Sequence, residues 1–310
     1  MSTRALVLGG GGFLGGLVSR WLLQNGYRVR LFDLRAPAWS TSPSARGDAG
    51  ALEIFEGNFL NGSDLDRALD GVELVLHFVS MTVPATSVDN VSIEIETNLA
   101  ATVRLLDRMV ARGIKCIGYP SSGGTIYRAA AHPHREDELP GPTCPYGLGK
   151  LLIEETLHYY RAHKGIETQI WRIANPYGDA AKLHLAQGAI DAFLLRILQG
   201  QPITLWGDGS AVRDFVFGED VAAAIGALLE RGAWGETVNI GAGAGVSIAN
   251  ALEVIRATVD RPVLLQQVAG YTGPLHAVLD STKLKQLTGW APRYDLQSGI
   301  AEAWRRLLAR

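Results

Sequence analysis

The chain has 310 residues, of which 47% are hydrophobic and 19% charged, and its net charge is −2. This is ordinary globular composition, long enough for one large α/β domain or about two domains, with no basic excess to suit nucleic acid or an acidic membrane. The only cysteines, Cys116 and Cys144, fit neither a metal knuckle nor a redox pair, so core thiols in a reducing compartment and no metal site are expected.

No basic leader with a cleavage site opens the sequence and no apolar run reaches bilayer length, so the reading is cytoplasmic, with no membrane partner. The first strand is expected at 5–9 (ALVLG) and a helix at 13–25, followed by strands at 27–33, 52–57 and 74–80 with a helix at 63–70. A helix at 91–112 leads to a strand at 115–121, and one at 146–163 to a strand at 168–173. Short runs of Val, Ile and Leu interleaved with helices in this order predict a parallel sheet covered on both faces. After Asn175 the rhythm breaks into a glycine-rich loop, a helix near 189–199, strands at 202–206 and 213–217, a helix at 220–230 and a strand at 237–241. The segment from 246 onward reads as smaller and mixed, closed by an amphipathic helix at 297–309, and 36–50 reads as a mobile loop. The fold class is therefore α/β: a Rossmann-type doubly wound parallel sheet with a smaller mixed α/β C-terminal substrate domain. Residues 1–175 plus about 213–245 are assigned to the first unit, and about 176–212 plus 246–310 to the second.

The first strand ends in LGGGGFLGG (8–16), which contains Gly9-x-x-Gly12-x-x-Gly15 and Gly10-x-Gly12-x-x-Gly15. Either spacing lets the backbone turn sharply under a pyrophosphate, which then sits over the N–H groups that open the next helix. The second strand ends on Asp33, about 20 residues further on, where a carboxylate accepts both ribose hydroxyls and repels a 2′-phosphate. That favours NAD over NADP.

Tyr146 and Lys150, in PYGLGK (145–150), stand four residues apart at the start of a helix and so share one face. A phenol with a pKa near ~10 is a poor base at pH 7, and lowering it by three units takes roughly 4 kcal/mol. An ammonium ~4 Å away, at an effective dielectric of ~20, supplies about that much. The pair is thus suited to general acid–base chemistry.

On LGGGGFLG (8–15), Asp33, LHFVS (76–80), TNLAAT (97–102), SSGGTIY (121–127), PYGLGK, RIANPYG (172–178), WGDGSAVRDFV (206–216) and EDVAAAI (219–225), the chain resembles the extended short-chain dehydrogenase/reductases. Within them it is similar to the NAD-dependent epimerase/dehydratase branch, and the likeness covers nearly its whole length. The resemblance implies an NAD-dependent nucleotide-sugar epimerase, similar to UDP-glucose 4-epimerases, that works through a transient 4-keto sugar. Tyr146 would take the sugar hydroxyl proton while Lys150 also holds the nicotinamide ribose. Gly9, Gly12, Phe13, Leu14, Gly15, Asp33, Asn58, Phe59, Phe78, Val79, Ser80 and Asn98 match the cofactor positions, and His77 reads as a core histidine. Thr82, Ser122, Thr125, Asn175 and Arg213 match positions that meet the sugar nucleotide, and Trp206 would lie beside its base. A homodimer through 91–112 and 146–163 is also implied.

The pattern has departures. Gly123 stands where the family carries a serine or threonine, which leaves Thr125 or Ser122 as the catalytic hydroxyl. Gly124 and Thr125 stand where the dehydratases carry Asp-Glu, which argues against 4,6-dehydration. Asn58 replaces the usual aspartate near the adenine. A second phosphate-binding arginine is absent from 268–276, with His276 or Gln267 in compensation. A reductase or dehydrogenase of a keto-sugar or other carbonyl, with exchangeable NAD(P), is the alternative reading; a non-catalytic dinucleotide sensor is a further one.

Overall fold

In β1 (Arg4–Leu8) the side chains alternate between two cores: Ala5 and Val7 enter one, Leu6 and Leu8 the other. Two-sided burial is why the strands read as unbroken apolar runs. The computed structural model describes residues 3–41, 50–84, 87, 90–179, 188–270, 273 and 275–309.

The elements follow as α1 (Phe13–Gln24), β2 (Arg28–Asp33), β3 (Leu52–Glu56), α2 (Gly62–Ala68) and β4 (Leu74–His77). Next come α3 (Val91–Ile93), a π-helical stretch (Glu94–Leu99), α4 (Ala100–Arg112), β5 (Cys116–Ser122), α5 (Pro145–Lys164), β6 (Glu167–Ile173) and β7 (Asn175–Tyr177). The C-terminal half holds α6 (Ala189–Leu198), β8 (Ile203–Trp206), β9 (Val212–Phe217), α7 (Gly218–Arg231), β10 (Thr237–Ile240) and β11 (Gly245–Ser247). It ends with α8 (Ile248–Thr258), β12 (Leu265–Val268), β13 (His276–Ala277), α9 (Thr282–Thr288) and α10 (Leu296–Leu308).

Seven strands form one parallel sheet in the order β3-β2-β1-β4-β5-β6-β10. The chain winds outward from β1 to β3 and then restarts at β4 on the other side of β1. The strand order reverses there, and in open α/β sheets ligands bind outside the carboxyl ends of the strands at that point. One face is covered by α1 and α7, through Leu17, Val18, Leu22, Val221 and Ile225; the other by α2, α4 and α5, through Leu65, Leu105, Leu106, Ile153 and Leu157. This is the Rossmann-type doubly wound arrangement.

A smaller mixed sheet, β11-β9-β13 with β7 on β9, and a two-stranded ribbon of β8 and β12 complete the fold. They pack with α6, α8 and α10 over a third core that includes Phe193, Leu194, Phe215, Leu252 and Trp304. Where a continuous helix was expected over 91–112, the structure has the π-helical stretch Glu94–Leu99 between two α-helical pieces. Of the expected loop 36–50, Ala38–Thr41 form a 3-10 turn, and 42–49 lie outside the described residues. Among the described residues, no helix is long and apolar enough to cross a membrane.

Candidate active site

The glycine turn sits at the switch point. Gly9 has φ +77°, in the left-handed region, and its N–H donates to the Phe32 carbonyl at 2.9 Å. A Cβ there would lie 2.9 Å from the Phe78 carbonyl carbon, so the turn nestles against the exit of β4. A Cβ at Gly15 would collide with the Gly9 carbonyl oxygen, so α1 approaches the turn this closely only as glycine. The N-cap residue Gly12 has no side chain with which to cap α1, and among the described residues the first N–H groups, from Phe13 to Gly15, are left for an anion. Asp33 Oδ2 accepts from the Gly11 N–H at 2.8 Å and Oδ1 from the Leu34 N–H at 2.7 Å. Each oxygen keeps a second acceptor position for a ribose hydroxyl. Cradle, open helix end and carboxylate fit a dinucleotide.

The other expected cofactor residues divide. Phe78 and Val79 are half-buried and Ser80 exposed at the end of β4, and Ser80 Oγ donates to the Thr82 carbonyl at 2.8 Å. Phe59 is instead a core residue against His77, with ring centroids 4.8 Å apart, and Asn58 Oδ1 accepts from the Leu60 N–H at 2.9 Å to hold its own turn. His77 is buried, within 3.0 Å of Thr102 Oγ1, and burial with Lys150 nearby pushes it down to about 3, so it stays neutral. Asn98 is a clamp: its Nδ2 donates to Thr82 Oγ1 at 2.9 Å and Glu94 Oε2 at 2.8 Å, while its Oδ1 accepts from the Met81 N–H at 2.9 Å. Thr82, expected at the substrate, is 4% exposed and its oxygen is engaged by Asn98.

Helix α5 starts where it does because Pro145 occupies its first turn and Cys144 Sγ accepts from the Gly147 N–H at 3.5 Å. Tyr146 and Lys150 therefore lie at its N-terminal end, beside the exits of β4 and β5. Lys150 is buried, its Nζ donating to the Pro120 carbonyl at 2.9 Å and lying 4.6 Å from the Tyr119 ring centroid and 5.6 Å from that of Tyr146. Among the described residues, nothing hydrogen-bonds the Tyr146 hydroxyl. The proximity expected from the spacing is present, but the expected lowering of the phenol is not. Burial first, and then the Glu94 carboxylate, hold Tyr146 above its usual value. Burial brings Lys150 down to about 8 against the opposing pull of Glu94 and Glu154. Helical spacing shows which groups meet; it carries no information on how deeply they are buried.

At the end of β5, Ser122 is half-buried, whereas Ser121 Oγ and, just past the strand, Thr125 Oγ1 are buried with no hydrogen-bond partner among the described residues. The space beside Gly123 is filled by the Leu279 side chain. Asn175 Nδ2 donates to the Asp214 carbonyl at 3.1 Å, and Arg213 is half-buried on β9. Asp214 is fully buried and accepts from the N–H groups of Ala242 (2.8 Å), Gly243 (3.2 Å) and Leu279 (3.2 Å), which ties three segments together. Gln267 Nε2 donates to the Gly207 carbonyl at 2.8 Å. His276 pairs in register with Val212, beside Arg213, and its buried Nδ1 has no partner among the described residues. Residues 271, 272 and 274 lie outside the described residues. Trp206 is 55% exposed. His132, His134 and the Arg135 N–H all bond to Glu138, so that carboxylate holds its own loop. Glu94, Ser121 and Leu279 were not singled out in the sequence, because each matters only through the element packed against it.

A family model described as the NAD dependent epimerase/dehydratase family matches residues 5–241. The chain is 30% identical over 308 residues to a UDP-glucose 4-epimerase of Mycolicibacterium smegmatis, an alignment covering 96% of each. A UDP-glucose 4-epimerase of Thermotoga maritima solved with UDP-glucose superposes with a TM-score of 0.87 at 27% identity, over 99% of this chain and 100% of that one. The Thermus thermophilus UDP-glucose 4-epimerase in complex with NAD gives 0.87 at 26% identity, over 99% of both chains.

Proposed function

This chain belongs to the NAD-dependent epimerase/dehydratase family, with NAD as its cofactor, and on that premise we propose that it is a reversible 4-epimerase of a UDP-sugar. The observation that carries this reading is Lys150 Nζ, 5.6 Å from the Tyr146 ring centroid, anchored to the Pro120 carbonyl of β5, the strand next to β4, whose exit carries the glycine turn. NAD, held by the glycine turn and Asp33, would supply a hydride acceptor and donor for the sugar C4 and a positive charge. Tyr146 receives the proton of the C4 hydroxyl and later returns it, so that the sugar passes through a 4-keto form. Lys150, at about 8, stays mostly charged at pH 7 and favours the phenolate electrostatically. Neither hydroxyl left open by Gly123 has a hydrogen-bond partner among the described residues; Thr125 Oγ1 is the one buried away from water, which supports Thr125 as the donor to the sugar oxygen. Arg213, with a planar fork suited to phosphate oxygens, and Asn175 would hold the diphosphate, and the smaller part of the fold would take the sugar nucleotide.

Purified protein mixed with UDP-glucose or UDP-galactose, with no NAD added, is expected to interconvert them, as followed by NMR of the anomeric protons. Product formed only with added NAD(H), in stoichiometric amount, would make it a net oxidoreductase instead. No turnover across a panel of UDP-sugars, despite bound NAD, would leave it a sensor.

A further inference from the structure

In the π-helical stretch, Glu94 and Asn98 both turn inward, while Ile95 and Glu96 between them are exposed. Glu94 is 2% exposed. Its Oε2 accepts from Asn98 Nδ2 at 2.8 Å, but Oε1 is buried with no partner among the described residues. A buried carboxylate oxygen without a partner is costly, and glutamine would serve Asn98 equally well through its carbonyl oxygen. The charge itself therefore calls for an explanation. A Cβ at Gly149 would lie 2.7 Å from Oε2, so the carboxylate rests against the backbone of α5 at Gly149, the residue before Lys150 and three after Tyr146.

We propose that Glu94 is a positioning residue acting through Tyr146 and Lys150: its buried carboxylate is the counter-charge that keeps the ammonium charged and keeps the proton on the phenol until positive charge is bound beside it. This rests on the reading of Tyr146 as the base. A negative charge in a poorly solvated site stabilises a cation and destabilises a phenolate, so one group sets both members of the pair. The titratable groups around Glu94 are Tyr146, Lys150 and Tyr119, and around that cluster stand Glu154 and Cys144 from α5 and its cap and His77 from β4. Glu154 is already paired with Arg172, Tyr119 is held neutral by burial, and His77 is uncharged at working pH. That leaves Glu94 as the carboxylate without an ion-pair partner facing Tyr146 and Lys150 among the described residues.

The test is the pH profile of kcat/KM for the NAD-containing Glu94→Gln enzyme, run beside Tyr146→Phe. Removing the charge is expected to move the whole bell about one pH unit toward acid, so that on the acid limb the variant keeps up to about tenfold more of its own maximum. Glu94→Asp, which restores the charge, is expected to bring the profile back. A structural role would lower the amplitude and leave the midpoints in place; superimposable midpoints for Glu94→Gln and wild type overturn the proposal. Full turnover by Tyr146→Phe would instead overturn the reading of the base. If Glu94→Gln does not fold, the double variant Glu94→Gln/Lys150→Met, lacking both charges, is expected to fold and to melt close to Lys150→Met alone. A double variant as unfolded as the single one contradicts the pairing.

Discussion

Tyr146→Phe is expected to lower epimerase turnover by about 10²–10⁴, the usual worth of one positioned acid–base group, while protein-bound NAD and melting temperature stay near wild type. The second half of that statement follows from the structure: no hydrogen bond within the described residues depends on the Tyr146 hydroxyl, so its loss removes chemistry and spares packing. Rates from the UDP-glucose to UDP-galactose assay and the absorbance of released cofactor check the two halves separately. A variant that melts early, or that retains more than about a tenth of the activity, contradicts the assignment.

The largest expected loss of stability lies about two turns along the same helix. Glu154 is fully buried on α5 and takes Arg172 from β6 through Nε at 3.1 and 3.2 Å and Nη2 at 2.7 Å. Arg172 Nη1 also donates to the Tyr127 hydroxyl at 2.9 Å, and that hydroxyl donates to Asn239 Oδ1 at 2.8 Å. The network pins α5 to the sheet and ties in the loop after β5 through Tyr127. Arg172→Met strands a carboxylate out of water and is expected to cost about 3–5 kcal/mol in urea unfolding. The double variant Glu154→Gln/Arg172→Met, which leaves no buried charge, is expected to recover most of that loss. A single variant as stable as wild type would show that Glu154 is not held as an ion.

The sheet was legible because two-sided burial writes itself as short unbroken apolar runs, and every strand expected through residue 173 is present in the large sheet. The glycine turn was legible because close backbone approach demands glycine at a fixed spacing, and Asp33 ends β2 against that turn as its position predicts. Strands β11, β12 and β13 were not, since they have 3, 4 and 2 residues and exist by pairing with β9 or β8, far away in sequence. The brief β7 was hidden for the same reason inside a stretch read as loop. Within the site, the residues that sequence spacing brings together do meet, but their electrostatics were misjudged. The expected fall in the Tyr146 pKa counted Lys150 and omitted both desolvation and Glu94. Nothing in EIETNL, a run of six ordinary residues, signals the π-helical stretch or the burial of Glu94 within it.

The proposed oxidation and re-reduction of one sugar carbon, without release of the reducing equivalent, is tested with UDP-glucose carrying deuterium at C4. The expected product is UDP-galactose that retains the label at C4, with no labelled NADH free in solution. Label lost to solvent, or recovered in stoichiometric free NADH, would contradict an internal hydride transfer.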